Sequence, residues 1–274
     1  MVNIQAPIMI KALFFDIDGT LVSFRTHTIP QSTIDALTEA KAKGINIYIS
    51  TGRPISIINN LGAISHLIDG YITSNGAYCF IDRNGKREVI SCHDIPTADI
   101  QQTLDACSKW DRPLVVVGTE DIAIYNYKDI VDEIYHQKLN INNIDYSKPV
   151  AEVLVQPILQ LTPFISEEQE ASLMTQLKHC ISGRWCEDFT DITHMKADKG
   201  KALLAMAAHE GLAISETMAF GDGGNDISII RQAGIGVAMG NAWDNVKAEA
   251  DYVTTSVDDD GVRNALIAHG VIKE

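Results

Sequence analysis

The segment Leu13-Phe14-Phe15-Asp16-Ile17-Asp18-Gly19-Thr20 closes an apolar run with two carboxylates spaced two residues apart. The unbroken run from Ala12 to Phe15 predicts a strand buried on both faces, as in a parallel sheet. Asp16 then falls at the strand's carboxyl end, where open α/β sheets bind their ligands. Gly19 lets the backbone turn sharply. A carboxylate gains nothing from burial at a strand end unless it has a partner, and the simplest partner is a divalent cation. Asp-Gly is also ordinary turn punctuation, so this segment alone is equally compatible with an acidic turn.

The pattern recurs downstream. Met218-Ala219-Phe220-Gly221-Asp222-Gly223-Gly224-Asn225-Asp226 again runs from apolar strand through a Gly-rich turn to carboxylates, ahead of a helical stretch from Ile227 to Gln232. Asp222 and Asp226, four residues apart, can share one side of the turn leading into that helix. Between the two acidic motifs lie Ile47-Tyr48-Ile49-Ser50-Thr51-Gly52-Arg53, a strand ending in hydroxyls, and Asp198-Lys199-Gly200-Lys201, a lysine opening a helix. Two carboxylate loops, a hydroxyl loop and a lysine are the groups a magnesium-dependent phosphoryl-transfer site requires.

Taken in order, these residues resemble the haloacid dehalogenase superfamily of phosphohydrolases, specifically its Cof-type members with a type IIB α/β cap. Ser74-Asn75-Gly76-Ala77 and the late segments Gly236-Val237-Ala238-Met239-Gly240-Asn241-Ala242 and Ala250-Asp251-Tyr252-Val253-Thr254 extend the likeness from Lys11 to near the end of the chain. The resemblance implies a Rossmann-like, doubly wound parallel-sheet core with an inserted α+β cap domain. It also implies a Mg²⁺-dependent phosphatase that hydrolyses small phosphorylated metabolites, sugar phosphates foremost, through an aspartyl-phosphate. A phosphomutase and a non-catalytic phosphometabolite sensor are the alternatives.

Roles follow from the same resemblance. Asp16 is the nucleophile and a metal ligand. Asp18 is the general acid and base, with its backbone carbonyl on the metal; transport members of the superfamily carry threonine there, so the aspartate favours ester hydrolysis. Asp222 is a metal ligand, and Asp226 is either a ligand or an acceptor one step removed. Thr51 binds the transferring phosphoryl group, with Ile17 and Gly52 among the substrate-binding residues and nearby backbone N–H groups assisting. Lys199 pairs with Asp16 and the phosphoryl oxygens. Asn225 contacts phosphate or cap, while Arg53 and Asn75 take structural roles. In the segment returning from cap to core, Arg184 is a candidate for a second anionic group and Trp185 for stacking on a sugar face; packing at the junction is the alternative for both.

Composition narrows the partners. With 22 basic and 36 acidic residues, the formal charge of −14 repels phosphate backbones, so no nucleic-acid partner is expected. A metal and one lysine can still reverse the local potential for a phosphomonoester. Cys79, Cys92, Cys107, Cys180 and Cys186 form no CxxC pair and no zinc spacing, which fits free thiols in a reducing, cytoplasmic setting. No apolar run approaches the roughly 20 residues of a membrane helix, and Lys11 and Asp16 interrupt any signal-peptide pattern. A monomer or weak homo-oligomer is expected. No GxxxxGK[ST] loop occurs, and Gly234-Ile235-Gly236-Val237-Ala238-Met239-Gly240 is one residue too long for a dinucleotide fingerprint. Trp110, Trp185 and Trp243 are scattered and offer no platform for single-stranded nucleic acid.

Strand and helix patterns alternate at both ends of the chain. The first portion reads as strand to Phe15, helix Ser32 to Lys43, strand Ile45 to Ile49, a helix after Pro54 and strand Tyr71 to Thr73. The last reads as helix Lys199 to Glu210, strand Thr217 to Phe220, a helix to Ala233, strand Ile235 to Ala238, a helix over 243–249 and strand Tyr252 to Thr254. Such alternation predicts a parallel sheet with helices on both faces. The middle mixes strand-like pieces (77–81, 87–90, 114–118, 122–125, 154–161) with helical ones (97–110, 128–139, 166–180). The expected division is a core of residues 1–81 and 188–274 around a cap of 82–187.

Overall fold

The structure is a computed structural model that describes residues 9–83, 85–138, 145, 147–184 and 186–274. The apolar runs become strands in chain order: β1 (Ala12–Phe15), β2 (Asn46–Ser50), β3 (Gly70–Thr73), β4 (Tyr78–Arg83), β5 (Lys86–Cys92), β6 (Leu114–Gly118), β7 (Ile122–Tyr125), β8 (Ile158–Pro163), β9 (Cys180–Gly183), β10 (Asp191–His194), β11 (Thr217–Gly221), β12 (Ile235–Ala238) and β13 (Tyr252–Val253). Among the described residues they form two sheets, one ordered β13-β12-β11-β1-β2-β3-β4-β5 and the other β7-β6-β8-β10-β9.

The first sheet is parallel from β13 to β3, with β4 and β5 added antiparallel at one edge. Its central strands are wholly buried because helices cover both faces. Side chains alternate across it with the period of two that a strand imposes. Leu13, Phe15, Ile47, Ile49 and Phe220 enter one apolar cluster, while Ala12, Phe14, Tyr48 and Ala219 enter another. The helices Gln31–Ala42 and Gly261–Ala268 supply the first cluster with Leu37 and Leu266; the helices Lys199–His209 and Ile227–Gln232 supply the second with Leu203 and Ile229. Phe15 stacks on Phe220 and Phe14 on Tyr48, at ring centroid distances of 4.6 and 4.9 Å. Each such aromatic contributes about 1.5–3 kcal/mol by leaving water, which pins β1 between β2 and β11.

The second sheet is antiparallel throughout. Leu114, Val116, Leu161 and Ile192 line its helix-covered face, and Val115 and Val117 line the other. Ile57, from the segment after β2, is buried on that second face with Phe164 and Phe189. Leu159 packs on Tyr78, Phe80 and Ala197.

Sheet membership does not follow the expected boundaries at 82 and 187. Strands β4 and β5 continue the first sheet, and β10 belongs to the second, so the chain crosses over after Cys92 and returns after His194. Periodicity identified the hairpin as strands but carries no information on which sheet edge it joins. The expected helix after Pro54 is a single 3₁₀ turn, Ile55–Ile57, because the chain leaves the core there to meet the second sheet. The strand expected over 154–161 begins only at Ile158, after a helical turn at Val150–Val153, and the helix expected to 180 stops at Met174 before β9. Among the described residues no helix is long and apolar enough to cross a membrane.

Candidate active site

Three neighbouring strands deliver the site. In the parallel register Phe15 lies opposite Phe220 on one side and Ile49 on the other. Asp16 extends the ladder by one step, its N–H donating to the Phe220 carbonyl at 3.1 Å. Asp222 follows β11 and Thr51 follows β2, so the carboxyl ends of β11, β1 and β2 converge on one spot. This is where the ends of parallel strands leave a crevice.

The helix Lys199–His209 brings the cation. Its N-cap Asp198 accepts from the Lys201 N–H at 2.7 Å, and Lys199 turns inward, 1% exposed. Lys199 Nζ donates to Asp16 Oδ1 at 2.7 Å and to Asp226 Oδ1 at 2.6 Å. The other oxygen of Asp226 accepts from the N–H groups of Asp222 and Gly223 at 3.1 and 3.0 Å. Asp226 therefore ties the lysine to the loop that carries Asp222. Asp222 itself is held by Thr20 Oγ1 on Oδ1 (3.2 Å) and by Asn241 Nδ2 on Oδ2 (3.3 Å), and the same Asn241 nitrogen donates to the Gly19 carbonyl at 2.8 Å.

Gly19 has φ of +83°, and a Cβ built there would lie 2.2 Å from Asp222 Oδ2. The turn that follows the first two carboxylates thus needs glycine for its conformation and for room. We expect Gly19→Ala to destabilise the protein by about 1–3 kcal/mol and to weaken Mg²⁺ binding by displacing Asp222. Thermal melts and a Mg²⁺ titration check this; an unchanged metal affinity contradicts it.

The hydroxyl loop is fixed by backbone. Thr51 donates its N–H to the Ile72 carbonyl and accepts from the Asn75 N–H, and its Oγ1 accepts from the Arg53 N–H at 3.1 Å. Ser74, Asn75 and Gly76 all adopt positive φ (48°, 55° and 93°), a strained run held in place on three sides. Asn75 Oδ1 accepts from Asn225 Nδ2 at 3.0 Å, and Gly76 sits so close to the Asp198 backbone that a Cβ would clash. Gly52 lies beneath the Asn75–Asn225 amide pair. Ile17 is fully buried, its carbonyl accepting from the N–H groups of Leu21 and Val22.

Arg53 grips Asp18 with both prongs, Nε to Oδ2 at 2.7 Å and Nη2 to Oδ1 at 2.8 Å. The structure therefore gathers Asp16, Asp18, Asp222, Asp226 and Lys199 as expected from the sequence. It adds Thr20, Asn241 and Arg53, which lie within recognisable motifs but reveal their partners only in three dimensions. Arg184 is corrected: its guanidinium is spent on Glu170 Oε2 (2.6 Å) and on the carbonyls of Ile165, Cys186 and Glu187. Each of its three nitrogens is engaged in packing this segment, and these contacts use four of its five N–H donors. Trp185 lies outside the described residues.

Electrostatics decide what the cluster requires. Asp16 is displaced well above the ordinary carboxylate range by burial first, with the charges of Asp226, Asp18 and Asp222 adding to this against Lys199. Asp222 is pushed up to about 7, again by burial first and then by the Asp226 carboxylate. Burial pulls Lys199 down, but Asp16 and Asp226 overcome this and raise it. With all four ionised, the carboxylates outnumber the two cations and carry an excess of two negative charges. Oxygens of Asp16, Asp222 and Asp226 lie within 4.8 Å of one another. An all-oxygen donor set with that excess fits Mg²⁺.

Comparison with known proteins agrees with this geometry. The sequence pattern of the haloacid dehalogenase-like hydrolases matches residues 13–266, and the chain belongs to that family. It is a phosphatase of the superfamily. The solved structure of a subclass IIB sugar phosphatase shares 46% identity with it, at a TM-score of 0.84 over 96% of this chain and 100% of the other. A superfamily phosphatase from Bacteroides thetaiotaomicron shares 34%, at a TM-score of 0.85 over 98% and 100%. The pyridoxal phosphate phosphatase YbhA of Escherichia coli is 28% identical over 94% of this chain and 98% of its own.

Proposed function

We propose that the chain is a Mg²⁺-dependent phosphatase of small phosphorylated metabolites, sugar phosphates foremost, acting through an aspartyl-phosphate on Asp16. The observation that carries this reading is the buried junction in which Lys199 bridges Asp16 and Asp226 beside Asp222. Asp16, Asp222 and the Asp18 carbonyl would hold the metal, which when bound supplies positive charge that keeps Asp16 ionised and offsets charge on the phosphoryl group. Asp226, with both oxygens already occupied, serves by fixing Lys199 and the Asp222 loop.

Lys199 holds Asp16 Oδ1, so a lone pair of this carboxylate attacks phosphorus in line while the ester oxygen departs. Asp18 gives that oxygen its proton and later takes one from the water that attacks the aspartyl-phosphate. Thr51 Oγ1, together with backbone N–H groups of Ile17 and Gly52, binds the phosphoryl oxygens. Lys199 stabilises the charge that spreads over them in the transition state.

The support for a polyol leaving group comes from the second sheet. On β8, Gln160 and Thr162 pair in register with Val117 and Val115, the residues that share a face with Ile57. Gln160 Nε2 and Thr162 Oγ1 both donate to Asp191 Oδ1, and Gln160 Oε1 is buried without a hydrogen-bond partner among the described residues. A buried acceptor of this kind calls for a donor such as a sugar hydroxyl. The likeness to a sugar phosphatase at 46% identity points the same way. Phosphate release from a panel of sugar phosphates, nucleotides and pyridoxal phosphate, with and without Mg²⁺, tests the proposal. Preference for sugar phosphates supports it, and equal or better turnover of the nucleotides or of pyridoxal phosphate contradicts the substrate class.

Acid–base linkage gives a further expectation. An unfolded Asp222 loses its proton near its ordinary value of 3.8, whereas the folded one keeps it to about 7. Without metal, the folded state therefore binds the extra proton between these values. Stability falls as pH rises through that window and levels off above about 7. Melting temperatures in chelator between about pH 5 and 8 should show this slope. Asp222→Asn should reduce it, and Mg²⁺ should stabilise the wild type most at the alkaline end. A slope unchanged in Asp222→Asn contradicts the assignment.

A further inference from the structure

We infer that Arg53 is a positioning residue through which docking of the second domain sets the orientation of Asp18. The two-point grip of its guanidinium fixes the plane of the Asp18 carboxylate, which a single contact leaves free to rotate. The backbone behind it is held from both directions. On the core side, the Arg53 N–H donates to Thr51 Oγ1, and its carbonyl accepts from the Ser74 N–H at 3.2 Å, within the left-handed run at 74–76. On the other side the chain passes through Pro54 and one 3₁₀ turn, closed by the Ile57 N–H on the Pro54 carbonyl at 3.1 Å.

That short, stiff segment ends in Ile57, which is 8% exposed. Its apolar neighbours Val115, Val117, Ile122, Phe164 and Phe189 all come from the second domain. Ile57 belongs to an apolar cluster apart from the carboxylates, yet it lies only four residues beyond the arginine that holds Asp18. Its neighbours Ile55 and Ile58 pack on clusters of the first sheet, so Ile57 is the point of this segment seated wholly among side chains of the second domain. A second domain that has not docked removes that seat, which loosens the segment behind Arg53 and the plane in which it holds Asp18. Access of substrate and readiness of the proton-transfer group are thereby linked through one covalent path.

The inference rests on Asp18 as the proton donor to the leaving group, and the test separates the two claims. An aryl ester such as para-nitrophenyl phosphate releases a stable phenolate and needs little protonation, whereas an alkyl ester such as a sugar phosphate releases a basic alkoxide that needs a proton. Hydrolysis of the aspartyl-phosphate is common to both esters, so mispositioning Asp18 acts selectively on kcat/KM, which reports the leaving-group step alone. Arg53→Ala should lose on the order of 10²-fold in kcat/KM on a hexose phosphate and far less on the aryl ester. Arg53→Lys, which offers one point of contact in place of a fork, should recover only part of the loss. Ile57→Ala should show the same leaving-group selectivity at smaller size, and Ile57→Val serves if the alanine variant is poorly folded by circular dichroism. Asp18→Asn is the reference: if it shows no selectivity, the role of Asp18 fails. If Asp18→Asn is selective and Arg53→Ala impairs both esters equally, the positioning role is overturned while the phosphatase reading stands. Equal losses on both esters for the Ile57 variants overturn the link to the second domain.

Discussion

Asp16→Asn should abolish turnover of every phosphate ester, by on the order of 10⁵-fold or more, because the amide oxygen is too weak a nucleophile to form the acyl-phosphate. The variant should remain folded. Replacing a carboxylate that burial and neighbouring charges already disfavour relieves repulsion in the cluster, while Lys199 retains Asp226 as its ionic partner. Circular dichroism and a thermal melt, run beside steady-state kinetics on an aryl phosphate, separate lost chemistry from lost fold. An Asp16→Asn protein that turns over at even a hundredth of the wild-type rate, about 10⁻², contradicts the mechanism.

The second large effect belongs to Lys199. Lys199→Met preserves much of the side-chain volume but removes the cation between two buried carboxylates, and breaking a buried ion pair from one side destabilises by about 3–5 kcal/mol. Activity should fall too, by on the order of 10²–10³-fold, since the spreading phosphoryl charge loses its counter-charge. The pH dependence of the stability loss identifies its origin. With Lys199 absent, Asp16 faces the Asp226 carboxylate without compensation, and acidification that protonates Asp16 removes the repulsion. The deficit relative to wild type should therefore be largest at neutral pH and shrink toward about pH 4. Urea unfolding at several pH values measures it. A deficit that does not change with pH would assign the loss to packing alone.

Much of the core was legible because its signals are local. The run Leu13–Phe15 can only be a buried strand, and a carboxylate directly after it can only sit at the strand's end. The same logic places Asp222 after β11 and Thr51 after β2. Lys199 was readable as a lysine opening a helix, and its role from the family resemblance at that position. What escaped is long-range. The pairing of Arg53 with Asp18 joins residues 35 apart in sequence, and that of Asn241 with Gly19 joins residues 222 apart. No periodicity encodes either. The hairpin β4–β5 shows its alternation but not its neighbour, so the sheet it joins was not readable. Arg184 looked available because a lone arginine beside a junction resembles an anion site. Its capture by Glu170 and three carbonyls appears only once the helix Glu167–Met174 is folded against β9. Ile57 was hidden for a related reason: an apolar residue in a stretch read as helix carries no sign that it seats in another domain.

The central claim is that phosphorus passes through a covalent bond to Asp16. It is tested most directly by quenching a turning-over mixture with acid and digesting with pepsin in acid, where an acyl-phosphate survives. Peptides that span Asp16 and Asp18 are then sequenced. Fragmentation by mass spectrometry should place one phosphoryl group on Asp16, at a level that rises with substrate and vanishes in Asp16→Asn. With an aryl phosphate, whose leaving group needs no proton, Asp18→Asn should accumulate more of it, because water then attacks without its base. Release of phosphate from wild-type enzyme with no phosphoryl group on Asp16, or with the group found on Asp18 instead, would contradict the account.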